Sequence, residues 1–116
     1  MKPKEKAIAI AHLADEQKAA DIRILDVSKI CNFTDVFVIA TCASALQLRS
    51  LGHKIERRLR EQGVRPISVV GYDTTRWVVA DYGDVVVHLL SPDAREYYRI
   101  DRLWRDGRRI SISTTE

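Results

Sequence analysis

The stretch RWVVADYGDVVVHLL, residues 76–90, decides the fold. Two β-rich runs, 76–81 and 84–90, flank Tyr82-Gly83, and this pattern predicts a β-hairpin. A turn centred on Tyr82-Gly83 sets Asp81 opposite Asp84, Val79 opposite Val86 and Trp77 opposite His88. Side chains alternate along a strand, so Val78, Ala80, Val85, Val87 and Leu89 share one wholly apolar face. Trp77, Val79, Asp81, Asp84, Val86 and His88 share the other. The first face must be covered by other elements. The second, with a tryptophan, a histidine and two carboxylates, reads either as a half-exposed amphipathic surface or as a binding face. Large aromatic side chains favour binding because they bury much area at low entropy cost.

Upstream, PISVV (66–70) predicts a short strand and GYDTT a loop. Residues 45–62 carry the clearest helical period: Ala45, Leu48, Leu51, Gly52, Ile55 and Leu59 fall on one arc, and Arg49, His53, Arg57 and Arg60 on another. Ser44 is placed to cap this helix and Gly63 to end it. VFVIAT (36–41) is apolar throughout, as expected of a central strand buried on both faces. A short strand over 22–27 and a helix over 4–19 precede it. Downstream, Ser91-Pro92 opens a helix expected to run to about residue 106. Tyr97, Ile100 and Trp104 lie on its core side, Arg95, Arg99 and Arg102 on a second stripe, and Tyr98 between. The order α β β α β β β α predicts an α/β domain over 1–106, with a mixed sheet of about five strands flanked by helices. Strands on either side of a helix are expected to pair in parallel. Residues 107–116 have no apolar period and are expected to form a mobile tail.

With 46% hydrophobic and 30% charged residues in 116, the chain can build a single core. It has no apolar run long enough to span a membrane and no secretory signal pattern, so no membrane association is expected. Cys31 and Cys42 form no C-x-x-C pair, which excludes a cysteine-rich zinc site and fits reduced thiols in a cytoplasm. The net charge of +3 fits a nucleic-acid neighbourhood but does not single it out.

Catalytic signals are absent. Ser44 lies outside any G-x-S-x-G elbow, and no glycine-rich phosphate loop occurs. Asp81, Asp84 and His88 are the right types for a divalent metal, but carboxylates around a turn more simply satisfy backbone N–H groups. Asp26 and Asp35 read as caps of connections. No catalytic residue, metal or cofactor is therefore expected, and function by adhesion is. Two alternatives stand beside it. One is a divergent metal-dependent nucleotidyltransferase using Asp81, Asp84 and Asp35. The other is a basic RNA-binding module using Arg49, Arg57, Arg60, Arg95, Arg99 and Arg102.

Two blocks, DVSKICNFTDVFVIATCAS (26–44) and WVVADYGDVVVHLLSPDAREYYRIDRLW (77–104), resemble the ribosomal silencing factor family, also called Iojap-like. The resemblance covers about residues 5–106, and the second block is the more specific. It implies a nucleotidyltransferase-like sheet without that fold's catalytic equipment. It also implies binding to the large ribosomal subunit, through its fourteenth protein at the intersubunit face. There the factor blocks joining of the small subunit and represses translation when nutrients are short. Carried over by motif, the positions are Trp77, Asp81, Tyr82, Gly83, Asp84, His88, Arg95, Tyr98 and Trp104. The contact candidates are Trp77, Asp81, Tyr82, Asp84, His88 and Tyr98, with Trp104 in the core. Ribosomal RNA nearby and a homodimer through the aromatic patch are the further partners expected. The chain departs from the family pattern where members often carry Gly at Cys42, an aromatic at Val36 and Glu-Gly at Val70-Gly71. If the missing carboxylate at 70 contacts the ribosome, affinity is expected to fall.

Overall fold

A computed structural model describes residues 1–73, 76–103 and 106–110. The elements in chain order are α1 (Pro3–Glu16), β1 (Ala20–Asp26), β2 (Val36–Thr41), α2 (Ala45–Glu61), β3 (Ser68–Val70), β4 (Trp77–Asp81), β5 (Val85–Leu90), α3 (Pro92–Tyr98), α4 (Ile100–Leu103) and β6 (Arg108–Ile110). The strands form one sheet in the order β3-β4-β5-β2-β1-β6. It is mixed, as expected: β2 and β5 are parallel, and the other neighbours are antiparallel. The expected pairing of the strands around α2 does not occur, because β4 and β5 lie between β2 and β3. The reason is burial. Every residue of β2 and β5 is buried, so these two strands take the centre, while the short and half-exposed β3 goes to a border.

The hairpin forms, but two residues out of the expected register. Trp77 faces Leu90, Val79 faces His88 and Asp81 faces Val86. The central turn residues are Gly83 and Asp84, and Gly83 has φ +88°, a left-handed conformation that glycine adopts without strain. A shift of two residues leaves the faces intact. Val78, Ala80, Val85, Val87 and Leu89 point into the main core as expected, and Tyr82 joins them.

That core lies under α1 and α2. The apolar arc of α2 is buried at Leu48, Leu51, Gly52, Ile55 and Leu59. Ser44 Oγ accepts from the Gln47 N–H at its start. At its end Gly63 N–H donates to the Arg60 carbonyl and Val64 N–H to that of Leu59, closing a Schellman motif. In α1, Lys6 is buried, with its Nζ 2.6 Å from Asp84 Oδ1. The Asp84 carbonyl also accepts from the N–H groups of Asp35 and Val36. One turn residue thus ties the hairpin to a helix and to the start of β2.

The opposite face is covered less. Leu25, Val27, Phe37, Ile39, Val86 and Leu90 pack there with Ala94 and Ile100 of α3 and α4. The single helix expected to reach 106 is broken at Arg99, whose left-handed φ of +49° ends α3. The arginine row therefore does not exist as a helix stripe. Arg95 is buried, donating to the Asp21 carbonyl and to Thr41 Oγ1, and so tethers α3 to β1 and β2. The patternless tail is also corrected in part. Arg108–Ile110 pairs antiparallel with β1, and Ile110 packs against the main core. Three residues, two of them arginine, carry too little pattern to read as a strand. Trp104 and residues 111–116, on which core and tail expectations fell, lie outside the described residues.

Removing residues 107–116 should therefore lower stability by about 1 kcal/mol, roughly 4–8 °C in melting temperature. An unchanged thermal midpoint would show that β6 adds nothing. Lys6→Ala should cost about 2 kcal/mol in urea unfolding, because it strands a partly shielded carboxylate. Lys6→Met should cost less than Lys6→Ala by refilling the stem volume, and equal costs would show that packing is not part of the Lys6 contribution.

Candidate functional site

The lightly covered sheet face carries a connected run of rings. Phe33 lies 6.3 Å from Phe37 between centroids, and Phe37 meets His88 edge-on at 5.0 Å. His88 lies 6.0 Å from Trp77, and Trp77 lies 4.6 Å from Tyr98. Tyr97 then meets Tyr98 edge-on at 4.9 Å. Four parts of the chain place them: the connection before β2, β2 itself, the β4–β5 hairpin and the end of α3.

Trp77 is held at two points. Its indole Nε1–H donates to His88 Nδ1 at 3.2 Å, and the ring packs against Tyr98. Indole is a donor only, so His88 Nδ1 is the unprotonated nitrogen. Beside Trp77 lies a groove of about 520 Å³, lined by Val70, Gly71, Asp73, Arg76, Trp77, Val79 and Tyr98. Gly71 closes one end. Its φ is +107°, and a Cβ there would lie 1.9 Å from the Trp77 carbonyl oxygen, so only glycine fits.

The structure sorts the six contact candidates. Trp77 and Tyr98 stand on the open face, Trp77 half-buried and Tyr98 exposed. Asp81 shares that face, and its Oδ1 accepts from the Gly83 N–H at 2.8 Å, the turn role read for it in the sequence. His88 is buried, so it orients Trp77 and does not reach a partner. Tyr82 is corrected: the register shift turns it into the main core, where it is 6% exposed. Asp84 is also corrected, since its carboxylate lies against α1 on the helix-covered side, bound by Lys6. Gly83 serves the turn and Arg95 the anchoring of α3.

Sequence reasoning missed Phe33 and Arg76 as surface residues, flagged position 70 only through the family's carboxylate, and put Tyr97 on the core side. Tyr97 is 76% exposed, because the break at Arg99 separates its direction from that of buried Ile100. An exposed Phe33 in a polar connection was the one signal available for that end of the face.

Electrostatics agrees with this sorting. Burial, then the Glu56 charge and Tyr72, pushes the Tyr82 hydroxyl up to about 12, against a smaller opposing effect of Arg60. Burial pushes the Cys42 thiol up to about 11, which leaves it protonated and unreactive at neutral pH. The Ser28 hydroxyl and N–H bonds hold Asp26 below its ordinary range, aided by Arg108 and Lys29, so it caps its connection as expected. Among the described residues no three His, Cys, Asp or Glu side chains converge to hold a metal ion. The Asp81 and Asp84 carboxylates, the pair a nucleotidyltransferase would need, are engaged on opposite sides of the sheet. What the face presents to a partner is aromatic and apolar area with polar groups at its border.

These features define a small mixed-sheet α/β domain with one preorganised aromatic face. The family described as ribosomal silencing factor during starvation (RsfS) matches residues 1–116, and the chain belongs to it. The chain is 38% identical over 97 residues to the ribosomal silencing factor RsfS of Chromobacterium violaceum, covering 84% of this chain and 79% of that one. Its fold is similar to a crystal structure of a Chromobacterium violaceum protein, with a TM-score of 0.87 and 33% identity over 97% of this chain and 93% of that one. A mouse protein named mitochondrial assembly of ribosomal large subunit protein 1 is 30% identical over 98 residues, covering 82% of this chain and 43% of that protein. Among the described residues no helix is long and apolar enough to cross a membrane.

Tyr82 in the core has a pH consequence. Its neutral form is favoured in the fold, so its contribution is complete below the unfolded value near 10 and is lost as pH rises through about 12. Tyr82→Phe should flatten the fall in stability between pH 10 and 12, followed by urea unfolding at each pH. A variant as alkali-sensitive as the parent would place the effect elsewhere.

Proposed function

We propose that this chain silences translation by adhesion to the large ribosomal subunit and not by catalysis. It docks through the fourteenth large-subunit protein at the intersubunit face and so blocks joining of the small subunit, in the cytoplasm, when nutrients are limiting. Membership of the silencing factor family supports the ribosomal setting, and the name of the mouse relative supports the large subunit. The observation that carries the docking surface is Trp77, fixed by His88 and Tyr98 at the lip of an open groove. A rigid aromatic anchor loses little freedom on binding, and such anchors dominate interface energies.

The face has the ingredients of a standard interface of about 800 Å² per partner: anchors at the middle and charged residues at the rim. Arg76 and Asp73 are exposed at that rim. Val70, 59% exposed, stands where family members often carry Glu, so this groove is more apolar than the family pattern implies.

Trp77→Ala should weaken binding by about 2 kcal/mol or more, roughly thirtyfold, with the fold retained by circular dichroism. Asp81→Ala should cost less, since its carboxylate already serves the turn. Arg57→Ala, on the exposed side of α2 in the other layer, should bind like the parent. Sedimentation with purified large and small subunits measures both binding and subunit joining. A folded Trp77→Ala that pellets with large subunits like the parent, while Arg57→Ala does not, would move the docking surface to the helix layer.

A further inference from the structure

The break between α3 and α4 creates a second surface beside the aromatic face. A cleft of about 430 Å³ opens there, lined by Asp21, Arg23, Arg95, Glu96, Arg99 and Arg102. Four guanidiniums meet two carboxylates. Arg95 is committed inward to Thr41 and the Asp21 backbone. The Asp21 carboxylate is shared by Arg23, 3.3 Å away, and Arg95, 3.5 Å away. Arg99 and Arg102 are exposed and form no ion pair with another described residue. The left-handed turn at Arg99 therefore leaves two guanidiniums facing water above a wall whose Asp21 carboxylate is already engaged, with the exposed Glu96 beside them.

Tyr97 follows Glu96, a residue of the cleft wall, along α3. Among the described residues it is the most exposed of the large apolar side chains, and it stands edge-on to Tyr98, so a ring face is left open to a partner. We propose that Arg99 and Arg102 bind the phosphate backbone of RNA next to the docking face, with Tyr97 offering a stacking surface for an unpaired base. Guanidiniums beside an open aromatic ring suit a nucleotide, whose phosphate takes bidentate hydrogen bonds and whose base stacks. An acidic protein segment would use the charges but not the ring. Arg58 and Arg60 of α2 are poorer candidates, because Arg60 pairs with Glu56 at 3.1 Å and Arg58 with Glu61 at 3.7 Å, while Arg49 and Arg57 lie in the other layer and serve as the comparison. The inference rests on the docking proposed above, which brings a ribosomal surface to the adjoining face.

The test is the salt dependence of binding. Affinity for purified large subunits is measured from about 50 to 300 mM KCl for the parent, R99Q/R102Q, and R99K/R102K. R49Q/R57Q serves as a control of equal charge change in the other layer. The same proteins are titrated with the isolated fourteenth large-subunit protein, which carries no RNA. Each lost phosphate contact removes about 0.7 to 0.9 from the slope of log K against log salt. R99Q/R102Q should therefore flatten the slope by about 1.5 and weaken low-salt binding to subunits about tenfold, with no change toward the isolated protein. R99K/R102K should keep most of the slope, and the control all of it. R102Q alone, which leaves the Arg99 cap intact, should give about half the change and guards against misfolding of the double variant. An unchanged slope in R99Q/R102Q would overturn the RNA contact while leaving the docking intact. So would an equal loss toward the isolated protein, which would assign the arginines to a protein partner, or an equal loss in the control. Failure of the parent to bind large subunits would overturn the docking itself, and this inference with it.

Discussion

The parallel pairing of β2 with β5 is the constraint on which the rest of the molecule depends. Both strands are buried along their whole length, so both sheet faces must be covered at the centre. A parallel pair also cannot be closed by a tight turn, and the chain between the two must travel. That excursion supplies α2, which roofs one face, and β3 and β4, which extend the sheet to a border. Among the described residues the second face receives α3 and α4, of seven and four residues, and these reach part of it. The uncovered remainder is where Trp77, Val79 and Asp81 emerge. The open face follows from unequal helix lengths on the two sides of one sheet.

Much of this was legible in the residues, and the failures have physical causes. Alternation along 77–90 assigns faces correctly because the register error was two, an even number, which preserves side-chain direction. It misplaces cross-strand partners because Gly83, and not Tyr82, needs the first turn position. The ends of α2 are readable because capping is local: Ser44 and Gly63 act within four residues of themselves. The bond between Lys6 and Asp84 joins residues 78 positions apart, and no spacing rule reaches it. The break at Arg99 is hidden for a different reason. Nothing in REYYRID favours a left-handed residue, and the buried Arg95 anchor and Ile100 determine where the chain must turn.

The same distinction separates two kinds of residue inside the motif that carries the family resemblance. Gly83, Asp84 and Tyr82 build the hairpin and fasten it to the helix layer. Trp77 and Tyr98 meet the solvent, and His88 mediates between the two sets by holding the indole from below. A motif read as a single contact surface is thus a scaffold with a small exposed tip. Val70 and Tyr97, adjacent to that tip, belong to the surface although neither was among the contact candidates carried over from the motif.

The sheet borders have a consequence for how the chain behaves in crowded solution. VFVIAT and VVVHLL are uncharged, β-prone segments of the kind that stack into cross-β fibrils when exposed. They are flanked by β1 and β4, and outside those the sheet ends in two border strands of only three residues each. β6 carries Arg108 and Arg109, and Pro66 stands just ahead of β3 with Arg65 before it. Short, cationic or proline-flanked borders resist lateral addition of another chain. β1, beneath β6, is seven residues long and contains Ile22, Ile24 and Leu25. The modest last strand therefore acts as a guard against polymerisation, and fraying it would offer a longer and stickier edge to a second molecule.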